Sequence, residues 1–76
     1  MFCVKVKIRK INSKPLVDWM KPDVTYPVLD VYKYLRTDKD TGIQTFVTWF
    51  LIGDKDTGIL SWVSSSAVDY AEERQL

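Results

Sequence analysis

Two copies of Asp-Lys-Asp-Thr-Gly-Ile, Asp38–Ile43 and Asp54–Ile59, hold the residues best suited by type and spacing to do chemistry. Asp-x-Asp-x-Gly offers carboxylate oxygens much as a calcium loop does. Calcium takes roughly six to eight oxygens, and an EF-hand loop supplies a bidentate Glu at its twelfth position. Counted from Asp38 that position is Trp49, and from Asp54 it is Ser65; each glycine also comes one place early. The two loops are held apart by a strand of about ten residues at roughly 3.3 Å each, so they do not pool their carboxylates. The chemistry left to these residues is that of turns. Asp accepts hydrogen bonds from nearby backbone donors, and Gly supplies positive φ for a type I turn closed by a bulge.

Other chemistry is scarce. The chain has no histidine and one cysteine, Cys3, which removes Ser-His and Cys-His nucleophile systems and the usual zinc sites. No Gly-rich phosphate loop occurs. The carboxylates fall mainly in turns and near the C-terminal end, where solvent leaves them untuned for acid–base work. We expect a protein that is not an enzyme and that holds no metal or cofactor.

The elements that position these turns are strands. Phe2–Arg9 alternates, with Phe2, Val4, Val6 and Ile8 on one face and Cys3, Lys5, Lys7 and Arg9 on the other. The basic face reads as a solvated outer surface, with edge protection, or as a stripe for phosphates. Lys10–Thr25 has no period and carries Pro15 and Pro22. Its apolar residues Leu16, Val17, Trp19 and Met20 predict a loop packed on the body, with a short helical turn around Val17–Met20. Trp19 either plugs one end of the core or contacts a ligand. Three strands follow, Tyr26–Arg36, Ile43–Ile52 and Ile59–Val63, joined by the two repeated turns. Ser64–Ala67 predicts one helical turn, Val68–Tyr70 a short last strand, and Ala71–Leu76 a polar tail.

At 76 residues the chain supports one domain, residues 1–70 followed by the tail 71–76. Net charge is +1, but Lys5, Lys7, Arg9, Lys10 and Lys14 open the chain with no acid among them, while acids outnumber bases from Asp38 onward. A single cysteine, no apolar segment of membrane length and no signal-like start predict a soluble, cytoplasmic protein.

The order of elements, with Trp62-Val63-Ser64-Ser65-Ser66-Ala67-Val68 near its end, resembles the SH3 domains, whose matching segment reads aromatic, aliphatic, Pro, Ser, Asn, Tyr, Val. The resemblance implies an all-β, SH3-like small barrel of about five strands with a long first loop and one short helical turn. It places Val63 and Val68 in the core and Trp62 near the ligand surface. Ser64 and Ala67 stand where those domains have proline and tyrosine, so two parts of a proline-rich peptide groove are missing and PxxP binding is not expected. The cadence Tyr-Pro-Val-Leu…Trp-Phe-Leu-Ile-Gly-Asp…Gly-Ile-Leu-Ser-Trp-Val is also similar to small uncharacterised bacteriophage proteins, which implies a phage-encoded modulator or inhibitor of a host protein.

If Asp40 and Asp56 centre their turns, Tyr34 faces Phe46, Tyr32 faces Thr48, Asp30 faces Phe50, Val28 and Leu60 face Ile52, and Trp62 faces Phe50. Both sides of the sheet are then apolar. A bulge near Asp30 would swap the faces part-way. The second side is otherwise covered by the chain's own loop, by a second copy in a homodimer, or by a partner protein. The expected function is protein–protein contact, with Trp62, Tyr32, Tyr34 and Trp19 as the contact residues. The alternative is nucleic-acid binding through Lys5, Lys7, Arg9, Lys10 and Lys14.

Overall fold

The computed structural model describes residues 2–73. Five strands form one antiparallel sheet, β1 (Phe2–Val6), β2 (Tyr26–Thr37), β3 (Gln44–Gly53), β4 (Leu60–Ser64) and β5 (Val68–Glu73), in the spatial order β4-β3-β2-β1-β5. The all-β class follows from the period-2 segments and the two turn motifs. The sheet stays open. No pairing joins β4 to β5 among the described residues, so the expected barrel does not close.

The repeated motif makes both tight hairpins. Asp38 N donates to Ile43 O at 2.9 Å, and Gly42 N donates back to Asp38 O at 2.9 Å with Gly42 at φ 72°. Asp38 Oδ1 accepts from Asp40 N at 2.8 Å, and Thr41 Oγ1 accepts from Ile43 N at 3.2 Å. The second copy repeats this pattern with Asp54, Asp56, Thr57 and Gly58. Each loop therefore holds an even number of residues, Lys39–Gly42 or Lys55–Gly58, and is not centred on one Asp.

The register moves by one residue as a result. Tyr34 pairs with Val47, Tyr32 with Trp49 and Asp30 with Leu51, instead of Phe46, Thr48 and Phe50. On the other side Trp62 pairs with Leu51 and Ser61 with Ile52. Val28 still pairs with Ile52, because a bulge between Val28 and Asp30 inserts Leu29. The bulge expected near Asp30 is therefore present, and it reverses which side chains face the core.

The core gathers Val4, Val6, Met20, Tyr26, Val28, Ile52, Val63 and Val68, with Phe2, Val17, Trp19, Phe50 and Ala67 packed against it. The loop before β2 acts as the missing layer. Val17–Met20 forms one turn closed by Met20 N to Val17 O at 3.1 Å, rather than a helix, and Met20 is buried completely. The Tyr26 hydroxyl accepts from Lys21 N at 2.8 Å, which satisfies the polar end of a buried ring.

Three boundaries differ from expectation. β1 ends at Val6, and Lys7–Leu16 folds into a small hairpin of its own, closed by Leu16 N to Lys7 O and Arg9 N to Lys14 O. β1 is also an interior strand between β2 and β5, so its lysines do not guard an edge. β5 continues through Ala71 to Glu73 by pairing with Phe2, where a tail from residue 71 was expected; residues 74–76 lie outside the described residues. Cys3, expected on the basic face, is fully buried. A bulge between Cys3 and Val4 leaves Ala71 of β5 unpaired; along β1 the alternation holds, with Phe2, Val4 and Val6 on the core cluster and Cys3 buried outside it.

Beyond the bulge β4 flanks β3 as far as Trp49, and past Tyr32 and Trp49 β2 and β3 run on as a two-stranded arm; every β2 residue from Leu29 to Thr37 is exposed. The radius of gyration is 14.0 Å, against about 11 Å for a compact chain of this length. The body carries the stability and the arm contributes little to it. Met20→Ala is expected to cost about 2–4 kcal/mol in urea unfolding, while Leu35→Ala on the arm stays within about 0.5 kcal/mol.

Candidate interaction surface

The open face of the sheet carries the aromatic residues. Alternation from the bulge onward puts Tyr32, Tyr34 and Arg36 of β2, Val47, Trp49 and Leu51 of β3, and Trp62 of β4 on this side. Tyr32 and Trp49 sit directly opposite each other. Tyr32 and Trp62 rings lie 6.4 Å apart at 68°, and Tyr32 and Tyr34 rings 5.9 Å apart at 40°. These separations fall in the range where aromatic pairs attract beyond simple burial. Tyr32, Trp49 and Trp62 line one shallow concavity. Tyr32 is 56% exposed and Trp62 47% exposed, so this cluster is ordered by its own contacts while remaining open to solvent.

Of the four expected contact residues, the structure brings together Tyr32, Tyr34 and Trp62. Trp19 lies elsewhere. It packs on the core with its ring edge-on to Tyr26, 5.7 Å away at 83°, and meets the second turn near Asp54, Thr57 and Ile59. That is the plug position. Trp49 joins this cluster without being among the expected contact residues. Only the one-residue change of register places it beside Tyr32 instead of on the opposite face.

The basic residues divide as well. Lys7, Arg9, Lys10 and Lys14 gather on the Lys7–Leu16 hairpin, whose tip carries Ile11 at 98% exposure. Lys5 stays on β1, paired with Asp69 in register. Lys7 Nζ reaches Asp69 Oδ1 at 3.8 Å.

The carboxylates of the repeat are engaged locally. Asp38 and Asp54 cap their turns, and Asp54 Oδ2 also accepts from Thr57 Oγ1 at 3.0 Å. Asp56 meets Lys21 Nζ at 2.9 Å, tying the long loop to the second turn. This hydrogen bond lowers the Asp56 pKa and raises that of Lys21. Among the described residues no three His, Cys, Asp or Glu side chains gather as a metal site, and no helix is long and apolar enough to cross a membrane. No protein-family model, curated protein or solved structure matches the chain.

The Lys21–Asp56 pair gives a signed pH dependence. The Lys21 ammonium holds the folded pKa of Asp56 below the ordinary aspartate value, so its stabilisation is complete above that ordinary value and disappears as pH falls through the folded pKa. Asp56→Asn is expected to be less stable than the parent chain at neutral pH, with the difference closing on acidification. The effect is small because the pair is exposed. Thermal melts of both chains between neutral and strongly acidic pH check this; a gap that widens in acid contradicts it.

Proposed function

We propose that the chain is a non-enzymatic protein-interaction module whose contact surface is the open face bearing Tyr32, Tyr34, Trp49 and Trp62. The observation that carries this reading is the concavity lined by Tyr32, Trp49 and Trp62 on a sheet face with no covering layer among the described residues. Aromatic anchors set in a shallow depression are the residue types that dominate protein interfaces, because each buries a large area with few rotatable bonds. Charge on this face is sparse and mixed, Asp30 and Arg36, which suits a largely apolar partner surface more than a polyanion. The strand order and the 3-10 turn Ser65–Ala67 between β4 and β5 support an SH3-like ancestry with an opened barrel. The same module would serve a phage-encoded modulator or inhibitor of a host protein. A reducing cytoplasm suits the free, buried Cys3.

Trp62→Ala and Tyr32→Ala are each expected to weaken partner binding by about 1–4 kcal/mol while leaving the fold intact. Trp19→Ala is expected to lower the melting temperature with no change in affinity of the folded chain. Parallel affinity capture with parent and Trp62→Ala/Tyr32→Ala chains, followed by titration of the captured partner, measures this. Equal retention by the folded double variant sinks the proposal.

A second reading rests on the Lys7–Leu16 hairpin. Arg9, Lys10 and Lys14 surround the bare Ile11 with no acid in the hairpin, a combination that suits phosphates flanking an apolar wedge. Duplex DNA binding through these three charges is expected to show a log–log salt slope of about −3. A flat salt response removes this reading.

A further inference from the structure

The edge of β2 is unpartnered along its arm. β1 pairs with β2 only through Cys3–Pro27 and Val4–Tyr26, so among the described residues nothing pairs with that edge from Val31 to Thr37. Asp38 N points toward β3, where it donates to Ile43 O. Antiparallel alternation then turns the N–H and C=O groups of Thr37, Leu35, Lys33 and Val31 away from β3, toward the free edge. Val31 N supports this orientation, since it donates to Asp30 Oδ1 at 2.8 Å and not to β3. The segment Val31–Thr37 contains no proline and is rich in Val, Tyr, Leu and Thr. Long edges of this kind template pairing with another strand.

We propose that the chain forms a two-fold symmetric dimer in which β2 pairs antiparallel with β2 of a second copy, centred on Lys33. The sequence of the edge selects both occupant and register. Around Lys33, Asp30 lies opposite the second copy's Arg36, Val31 opposite its Leu35, and Tyr32 opposite its Tyr34, and symmetry produces each pair twice. Opposite charges, two aliphatic residues and two aromatic residues are the favourable cross-strand combinations. Asp30 and Arg36 lie on the open face with Tyr32 and Tyr34, so the pairing keeps each face intact. A shift of the centre by one residue toward Tyr34 sets Asp30 against the second copy's Asp38, and a shift toward Tyr32 sets Arg36 against its Val28. Both lose the charge match. The one unfavourable contact is Lys33 with its symmetry mate. Lys33 Nζ already leans over the Phe46 ring at 6.0 Å on the other face, which draws the two ammonium groups off the axis. The dimer continues the sheet and brings the two aromatic surfaces side by side, so that Tyr34 of one copy joins Tyr32 of the other. It leaves the Trp49 and Trp62 side of the concavity open, while Tyr32 and Tyr34 of the proposed partner surface flank the dimer seam.

Sedimentation velocity of the full chain, from about one to a few hundred micromolar, is expected to show a reversible monomer–dimer equilibrium. Lys33→Pro removes the two central hydrogen bonds without touching the β2–β3 ladder, because Lys33 N–H faces the free edge, and is expected to give a folded monomer. Asp30→Arg sets like charges opposite each other twice and is expected to weaken the dimer about tenfold, and Asp30→Arg/Arg36→Asp to restore most of the loss. A monomer at every concentration overturns the proposal. So does a dimer that survives in folded Lys33→Pro, including one that is instead lost in Trp62→Ala, since that result assigns dimerisation to the aromatic face. Should Lys33→Pro fail to fold, the charge reversal decides, and absence of rescue by the double variant overturns the pairing. Trp62→Ala that abolishes partner capture but keeps the dimer separates the two surfaces.

Discussion

Leu29 adds one residue to β2 with no counterpart on β3, and the division of the molecule into a packed body and an exposed arm follows from it. Before the bulge, Tyr26 and Val28 point into the core beside Ile52. Without it, the next residue in alternation on that side is Asp30, and then Tyr32 and Tyr34. An unpaired carboxylate against Val28 and Ile52 costs several kcal/mol, a large share of what holds a domain this small together. The bulge moves Asp30 to the open face, where its carboxylate receives the Val31 amide. The same step carries Tyr32 and Tyr34 outward to meet Trp49 and Trp62. One inserted residue thus protects the core from a charge and assembles the aromatic surface.

The layer opposite the body of the sheet comes from a segment without regular structure. Met20, Val17 and Trp19 seal the core, and the Tyr26 hydroxyl and the Lys21–Asp56 pair hold the loop at its end. This layer reaches only the first part of β2 and the last part of β3. Past the bulge, Val31, Leu35 and Phe46 on the core side lie beyond the reach of this layer and stay exposed, as do Tyr32, Tyr34 and Trp62 on the other side. A chain of this length has enough apolar loop to cover one body and no more.

Much of this was legible in the residues. The period-2 segments and the repeated motif located β2, β3 and β4 to within a residue or two, and the serines preceding Val68 located the 3-10 turn. Ser64 Oγ accepts from Ser66 N there, the local bond that makes serine a turn former. Register was harder. Whether a loop of Asp-Lys-Asp-Thr-Gly holds an odd or even number of unpaired residues depends on which carbonyl the glycine amide finds, and Gly42 finds that of Asp38. A one-residue change exchanges the faces of a strand. The expected Val28–Ile52 pair holds because the bulge cancels the change there, whereas beyond it Tyr32 meets Trp49 in place of the expected Thr48. Cys3 shows a second limit. Alternation along one strand assigns a side chain to a face but not what covers that face, and Cys3 is buried outside the core cluster.

An arm that is apolar on both faces and open along one edge is a hazard unless its pairing is limited. Here the limits are built from charge. Asp30 occupies the first free amide of the β2 edge beyond the bulge, and Asp38 stands at the far end, so a strand that slides toward the tip brings acids together. Lys33 and Arg36 interrupt the apolar run between them. In the proposed dimer these charges leave one favourable self-pairing and penalise its neighbours, so that a surface prone to open-ended stacking would close after two copies. A two-fold contact uses up both β2 edges at once, and the edges that remain, β4 and β5, are only five and six residues long. In the proposed dimer, closure by symmetry would do for this open sheet what closure of a barrel does for others, without covering the aromatic face.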